Sequence, residues 1–286
     1  MIELDDFSYA YPTGSRPALR SLRLAVPAGQ LCGVVGPSGA GKSTFAHALA
    51  GFIPHALGGE TAGRVVVGGR TVADTPLPDL VRDVGLVLQN PFNQISGVKF
   101  TVREELAFGL ENLGVPQEEM VRRVDAVLAE LRIEGLADRS PYQLSGGQQQ
   151  LVALGSVLVM RPSVLVLDEP TSQLDPVGSG QVFDAVRALH RAGVTIVLVE
   201  HKLERLAEIA DRVLVLRHGE VALDGPPATV LADPRLADWG VAGTRYTAAA
   251  RLARERGLWP EDRDLPVTLD AAVAGFRAVT GGVESR

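Results

Sequence analysis

The sequence predicts an α/β fold with an inserted helical subdomain and a short helical C-terminal extension. Three observations carry this prediction. The apolar runs Val164-Leu-Val-Leu167, Val194–Val199 and Arg212–Leu216 alternate with helix-length stretches, as central parallel strands do when helices cover both faces of a sheet. The glycine-rich segment Gly36-Pro-Ser-Gly-Ala-Gly-Lys-Ser43 follows a strand-like run, Gln30–Val35, and opens a helix. Between Thr101 and Met160 the pattern turns helical, with Met120, Val124, Val127, Leu128 and Leu131 at 3/4 spacing.

Taken in order, residues 1–30 are β-rich, with a turn at Pro12–Pro17. The helix after the glycine-rich segment is expected to end near Gly51, and Arg64–Val67 and Val84–Leu88 read as strands. Residues 95–160 form the helical insertion. After Arg161-Pro162 the strand–helix alternation returns, with helices over 176–192 and 202–210. Pro226-Pro227 and Pro234 break the pattern, and two short helices follow at Thr244–Gly257 and Thr268–Val279. Thr268 suits an N-cap, with Asp270 in the first turn. The division is a main domain over 1–235 and a small helical extension over 236–286.

With 286 residues and 46% hydrophobic content, the chain can bury a sizeable core. Its net charge of −6 argues against nucleic acid as a partner. The single cysteine, Cys32, falls in a predicted strand and reads as a small buried hydrophobe. No secretory leader is expected, since Met1-Ile-Glu-Leu-Asp-Asp is acidic and lacks an apolar stretch. The longest apolar run, Leu151–Met160, is far shorter than the ~20 residues that span a bilayer.

Gly36–Ser43 matches G-x-x-x-x-G-K-[ST], a loop that binds nucleotide phosphates. Gly36, Gly39 and Gly41 let the backbone approach the phosphates, and Ser38 and Thr44 belong to the same cradle. Lys42 is placed to reach the β/γ-phosphates and Ser43 to ligate Mg²⁺. The chain holds three lysines against 25 arginines, so a lysine at the required position argues against chance. Val164–Leu167 ends in Asp168-Glu169. A strand carries both carboxylates to the sheet rim, Asp168 to hold Mg²⁺ and Glu169 to polarise an attacking water. Leu144-Ser145-Gly146-Gly147-Gln148 is a second glycine-rich turn opening a helix, with Ser145 as N-cap. One nucleotide does not need two such sites in one subunit, so this turn is expected to face the nucleotide of another.

The phosphate loop, LSGGQ and LDEP, with Asp175 and His201 beyond, together resemble the ATPase subunit of ATP-binding cassette (ABC) transporters over residues 1–235. The resemblance implies the P-loop NTPase ABC-ATPase fold: an N-terminal antiparallel β part, a nucleotide-binding α/β core and an inserted helical subdomain. It also implies ATP and Mg²⁺ as ligands. A head-to-tail dimer would hold each ATP between one subunit's phosphate loop and the other's Ser145-Gly146-Gly147 turn. Tyr11 resembles the aromatic residue that stacks on adenine, with Tyr9 a rival two residues away. Gln89 resembles the glutamine that senses Mg²⁺ and the γ-phosphate. Asp175 resembles the aspartate of the loop that crosses the dimer interface, and His201 the histidine that hydrogen-bonds the γ-phosphate.

Gln89-Asn-Pro-Phe-Asn-Gln94, Val102–Asn112, Thr171–Pro176 and Glu200-His-Lys-Leu203 look like the energy-coupling factor branch. That branch implies import of a vitamin or a transition-metal ion such as cobalt or nickel. It implies a transmembrane coupling protein, a membrane substrate-binding subunit and a peripheral place on the cytoplasmic membrane face. Glu104 and Glu105 are the candidates for receiving arginines of the coupling protein, with a solvated helix face as the alternative. An ATPase of another ABC transporter class remains an alternative. A soluble ABC ATPase is a further one, although the interval from Lys42 to Ser145 is too short for the long coiled coil of repair and chromosome members.

Overall fold

In a computed structural model, residues 1–280 are described. Strands β1 (Ile2–Ala10), β2 (Leu19–Val26), β4 (Glu60–Val67) and β5 (Arg70–Thr71) form an antiparallel sheet in the order β2-β1-β4-β5. The second sheet has the order β10-β9-β3-β8-β7-β6. It comprises β3 (Leu31–Val35), β6 (Val84–Val87), β7 (Val164–Asp168), β8 (Thr195–Val199), β9 (Arg212–Arg217) and β10 (Glu220–Gly225). Its pairings are parallel except for the β9–β10 edge hairpin.

Alternation along the buried strands divides the interior into two cores. Leu31, Val35, Leu165, Leu167, Ile196 and Leu198 face one core, toward the helical insertion. Cys32, Val34, Val164, Val166, Val197 and Val199 face the other, toward the antiparallel sheet and helix α1 (Lys42–Leu49). Period-2 side chains buried on both faces explain why these strands read as unbroken apolar runs. Each buried Val or Leu contributes about 1.5–3 kcal/mol, which makes the central sheet the rigid platform of the molecule.

The insertion contains helices α2 (Val102–Asn112), α3 (Gln117–Glu130) and α4 (Gly146–Leu158). Thr101 starts α2 with a capping box: its side chain accepts from Glu104 N–H while the Glu104 carboxylate accepts from Thr101 N–H. Leu106, Leu110, Val124, Val127 and Leu128 join Leu154 and Leu158 in the same core as β7, so the insertion is packed onto the sheet. Helix α5 (Pro176–Arg191) and α6 (Leu203–Ile209) complete the main layers. The extension contributes α7 (Arg245–Glu255) and α8 (Leu269–Thr280). These enclose a small core of Ala250, Ala253 and Trp259, with Phe276 against it. Arg245 anchors the extension to Glu204 of α6. Thr268 Oγ1 accepts from Ala271 N–H, as the expected N-cap does.

Two features depart from the sequence reading. The antiparallel part recruits β4 and β5 from beyond the first helix, and β4 starts at Glu60, earlier than the apolar Val65–Val67. Its first five residues are exposed, so backbone pairing with β1 defines them and hydrophobic pattern does not. The edge strand β10 is likewise only half-buried and carries too weak a pattern to read.

Candidate nucleotide site

Parallel strands place their C-terminal ends along one rim of the sheet, where α/β proteins bind ligands. The phosphate loop leaves β3 there. A Cβ on Gly36 would lie 2.2 Å from the Leu216 carbonyl oxygen, so only glycine passes this point. Gly219 N–H donates to Ala40 O at 3.0 Å, pinning the loop to the β9–β10 turn. Gly41, with φ of 102°, opens α1. Ser38 and Gly39 are exposed at the loop tip. Lys42 is buried, and its Nζ donates to Gly36 O at 3.0 Å and Pro37 O at 3.1 Å. Burial lowers its pKa, against the opposing pull of Glu169 and Asp168. An ammonium held on its own loop carbonyls in a cradle of N–H groups is poised to turn onto an incoming polyphosphate.

Asp168 ends β7 nearly buried, with the Ser43 hydroxyl beside its carboxylate. Burial raises the pKa of this carboxyl; the Ser43 hydroxyl opposes the rise and the neighbouring Glu169 adds to it. Its Oδ1 is buried with no hydrogen-bond partner. An orphaned carboxylate oxygen beside a serine hydroxyl fits a divalent cation that takes its remaining ligands from phosphate oxygens and water.

Glu169 adopts φ of 49°, in the left-handed region that non-glycine residues rarely enter. Its N–H donates to Val199 O at 3.0 Å, tying the strained residue to β8. One carboxylate oxygen, Oε1, lies 2.6 Å from His201 Nε2; the other accepts from Gln89 Nε2 at 3.3 Å. Gln89, Glu169 and His201 come from three different strand ends, and the sheet order β8-β7-β6 makes them neighbours.

Tyr11 is half-buried, and its hydroxyl is 3.0 Å from Thr44 Oγ1, beside the phosphate loop. Tyr9 is only 1% exposed and meets the Tyr11 ring edge-on, with centroids 4.8 Å apart. Of the two rivals, Tyr11 is the ring that a ligand can reach.

The second glycine-rich turn is organised differently. Ser145 caps α4 in a capping box: its Oγ accepts from Gln148 N–H while Gln148 Oε1 accepts from Ser145 N–H. Among the described residues no hydrogen bond joins this turn to the phosphate loop. Gly146 lies at the start of α4, and a Cβ on Gly147 would lie 2.8 Å from the Gly178 Cα. Two glycines therefore let α4 and α5 touch backbone to backbone. Asp175 caps α5, accepting from Gly178 N–H at 2.6 Å, which links the Ser145 turn to the segment after Glu169. Gln150 Nε2 donates to Leu88 O at 3.2 Å, and Gln94 accepts from Leu88 N–H and donates to Ala153 O. Helix α4 thus holds the Leu88 backbone directly before Gln89 and, through Ala153, the Gln94 side chain after it. Sequence reasoning missed the role of Gln150 and gave Gln94 none beyond its place in the Gln89–Gln94 segment.

Of Glu104 and Glu105, the second departs from expectation. Glu104 is spent on the cap of α2, accepting from Phe100 and Thr101 N–H at 3.0 Å each. Glu105 is buried, its two oxygens accepting from Ser96 N–H at 2.6 Å and Ser96 Oγ at 2.8 Å. Glu105 is thus withdrawn from an incoming arginine, whereas Glu104 bonds the cap through Oε2 alone and stays exposed.

Residues 19–172 match the family model described as ABC transporter. The chain is 44% identical over 231 residues to a Pyrococcus horikoshii protein named an ABC transporter ATP-binding protein, an overlap of 80% of this chain and 81% of that one. It is 42% identical over 228 residues to the energy-coupling factor transporter ATP-binding protein EcfA1 of Halalkalibacterium halodurans, covering 79% of each. Among solved structures, cbiO1 from Clostridium perfringens, described as part of the ABC transporter complex cbiONQ, superposes with a TM-score of 0.73 at 29% identity. That match covers 89% of this chain and 94% of cbiO1. A dimeric ATP-binding cassette with ADP and Pi bound superposes with a TM-score of 0.67 at 26% identity, covering 79% of this chain and 99% of that one.

Proposed function

The chain belongs to the ABC transporter family as an ATP-hydrolysing subunit, and on that premise we propose that it powers an energy-coupling factor importer of a vitamin or a transition-metal ion. The single observation that carries the catalytic reading is Glu169, held between Gln89 and His201 beside Lys42 and Asp168. Support for the energy-coupling branch comes from the Gln89–Gln94 and Glu200–Leu203 segments and from the likeness to EcfA1 and cbiO1.

In this reading adenine stacks on Tyr11, the loop from Gly36 to Thr44 encloses the phosphates, and Lys42 moves from its own carbonyls to the β/γ-phosphates. Ser43 and Asp168 would hold Mg²⁺, with Gln89 as a further candidate, and the cation would supply charge neutralisation for the phosphates. Glu169 accepts a proton from the attacking water, whose oxygen bonds to the γ-phosphorus as the bond to the β-phosphate oxygen breaks, leaving ADP and phosphate. His201 donates to the γ-phosphate and keeps Glu169 oriented. Most of the acceleration is positioning and electrostatics on the rigid sheet rim.

Ser145, Gly146 and Gly147 act on the nucleotide of a second ATPase subunit, and Asp175 lies where the two subunits meet. A copy of this chain carries every motif that such a partner needs. Phe92, Val98, Phe100 and Tyr142 are apolar yet largely exposed around the segment after Gln89. Three such side chains on one segment, with Tyr142 packed beside it at Gly97, mark a partner surface, here for the cytoplasmic part of a transmembrane coupling protein that also carries the substrate-binding subunit. Among the described residues no helix is long and apolar enough to cross a membrane, and the chain works as a peripheral subunit on the cytoplasmic membrane face.

The test is affinity purification of Glu169→Gln with ATP from detergent-solubilised native membranes. The expected result is recovery of a coupling protein and a small membrane binding subunit, whose retained ligand identifies the cargo. Recovery of a membrane subunit pair of another transporter type would overturn the energy-coupling branch. Recovery of soluble partners alone would overturn transport.

A further inference from the structure

Behind Glu169 and His201 lies a buried polar network that the reaction as described does not use. Glu200 is 1% exposed. Its Oε1 accepts from His201 N–H at 3.0 Å and Lys202 N–H at 3.2 Å, and its Oε2 accepts from the Thr171 hydroxyl at 2.9 Å. Lys202 Nζ donates to the Thr171 carbonyl at 3.0 Å and to the Ser179 hydroxyl. Ser179 sits in the first turn of α5, and its N–H donates to Asp175 O at 2.9 Å. Thr171 is therefore gripped twice, at its hydroxyl by a buried carboxylate and at its carbonyl by an ammonium.

We propose that Thr171, Glu200 and Lys202 are positioning residues that lock the backbone of His201 to the segment carrying Asp175, so that γ-phosphate contact at His201 is transmitted to the subunit boundary. The proposal rests on the roles given above to His201 and Asp175. A carboxylate buried this deeply is costly unless hydrogen-bonded, and here its three bonds all run to the two segments that flank the catalytic carboxylate. Glu169 itself is two residues before Thr171 and contacts His201. A shift of either segment thus moves both the base and the group that orients it. Because the bonds are saturated, the two segments move together or one bond must break, which is the property a coupling element needs.

The test is steady-state ATP hydrolysis by the intact chain carrying Lys202→Met, Lys202→Arg or Thr171→Val, with Glu169→Gln as inactive reference. Lys202→Met and Thr171→Val are expected to lower kcat by about tenfold or more while leaving KM for ATP within about twofold. The Hill coefficient for ATP should fall toward one. Lys202→Arg, which keeps a cation and its donors, should recover most of kcat and the cooperativity. A purely structural contact would instead lower melting temperature with no change in cooperativity per folded molecule. Should Lys202→Met fail to fold, the near-isosteric Thr171→Val decides alone. Wild-type kcat and Hill coefficient in folded Thr171→Val would overturn the proposal. Inactive wild type, or active Glu169→Gln, would overturn the nucleotide-site reading itself. An active wild type with dead Glu169→Gln and unaffected Thr171→Val would sink the coupling network alone.

Discussion

Lys42, Asp168, Glu169 and His201 meet within one chain at the ends of parallel strands, whereas the Ser145–Gly147 turn sits on α4 in the helical layer. The first group rests on strands buried on both faces. Its members already touch, with His201 and Gln89 both on Glu169. The second has its hydroxyl engaged in its own cap, and its firm contact is with α5 through Gly147 and Gly178. The contrast separates chemistry from control. Groups that must be fixed to a fraction of an ångström stand on the sheet, while the turn proposed to complete a second subunit's site stands on α4, which is bonded to Leu88 beside Gln89.

The largest effect should come from breaking the chemical half. Glu169→Gln keeps the hydrogen-bonding shape but not the base. It should retain ATP binding and lose about 10²–10⁴ in turnover, or roughly 3–5 kcal/mol of barrier. Single-turnover hydrolysis with a parallel nucleotide-binding titration measures both. Lys42→Ala on the same half should weaken ATP binding itself, read directly by that titration. Next in size is the control half. Gly147→Ala puts a Cβ 2.8 Å from the Gly178 Cα, and the overpacking should cost about 1–3 kcal/mol in chemical denaturation. ATP affinity of the isolated subunit should stay the same, because the phosphate loop is untouched. The smallest effect sharpens the comparison through pH. Burial raises the Asp168 pKa, so the folded metal-free protein holds this proton above the ordinary aspartate range near 3.8. Its contribution therefore favours folding at low pH and is lost as pH rises through the raised value. Mg²⁺ binds the ionised form, so the stabilisation added by Mg²⁺ with ATP should grow with pH through that window. Melting curves with and without Mg²⁺ should show the growth, and Asp168→Asn should abolish it.

Most of the chemical half was legible in the sequence because its residues sit at fixed offsets from strand ends: Gly36–Ser43 after Gln30–Val35, Asp168-Glu169 after Val164–Leu167, His201 after Val194–Val199. Strand ends are visible as apolar runs that stop. Their convergence could be read only once the sheet was assumed, since Gln89 and Glu169 are distant in the chain. The Ser145 cap was legible from its own local spacing. The burial of Glu105 was not: its partner Ser96 lies in an irregular segment whose path no periodicity describes. Thr171, Glu200 and Lys202 stand in segments that the resemblance singled out, but their contact was silent, because polar residues acquire such a role only when two segments fold side by side. The exposed first half of β4 and all of β10 escaped for a related reason, being held by backbone pairing at exposed or edge positions where side-chain pattern is weak.

The measurement that tests the division most directly is disulfide cross-linking between two differently tagged copies, one carrying Ser38→Cys and the other Ser145→Cys, both in the Glu169→Gln background. The native Cys32 will not interfere, since it is buried and its thiol is pushed up to about 12. The account predicts an ATP-dependent cross-link between the two copies, joining the phosphate loop of one to the Ser145 turn of the other. Saturating ATP without any such cross-link, or a cross-link formed within a single chain carrying both cysteines, would contradict it.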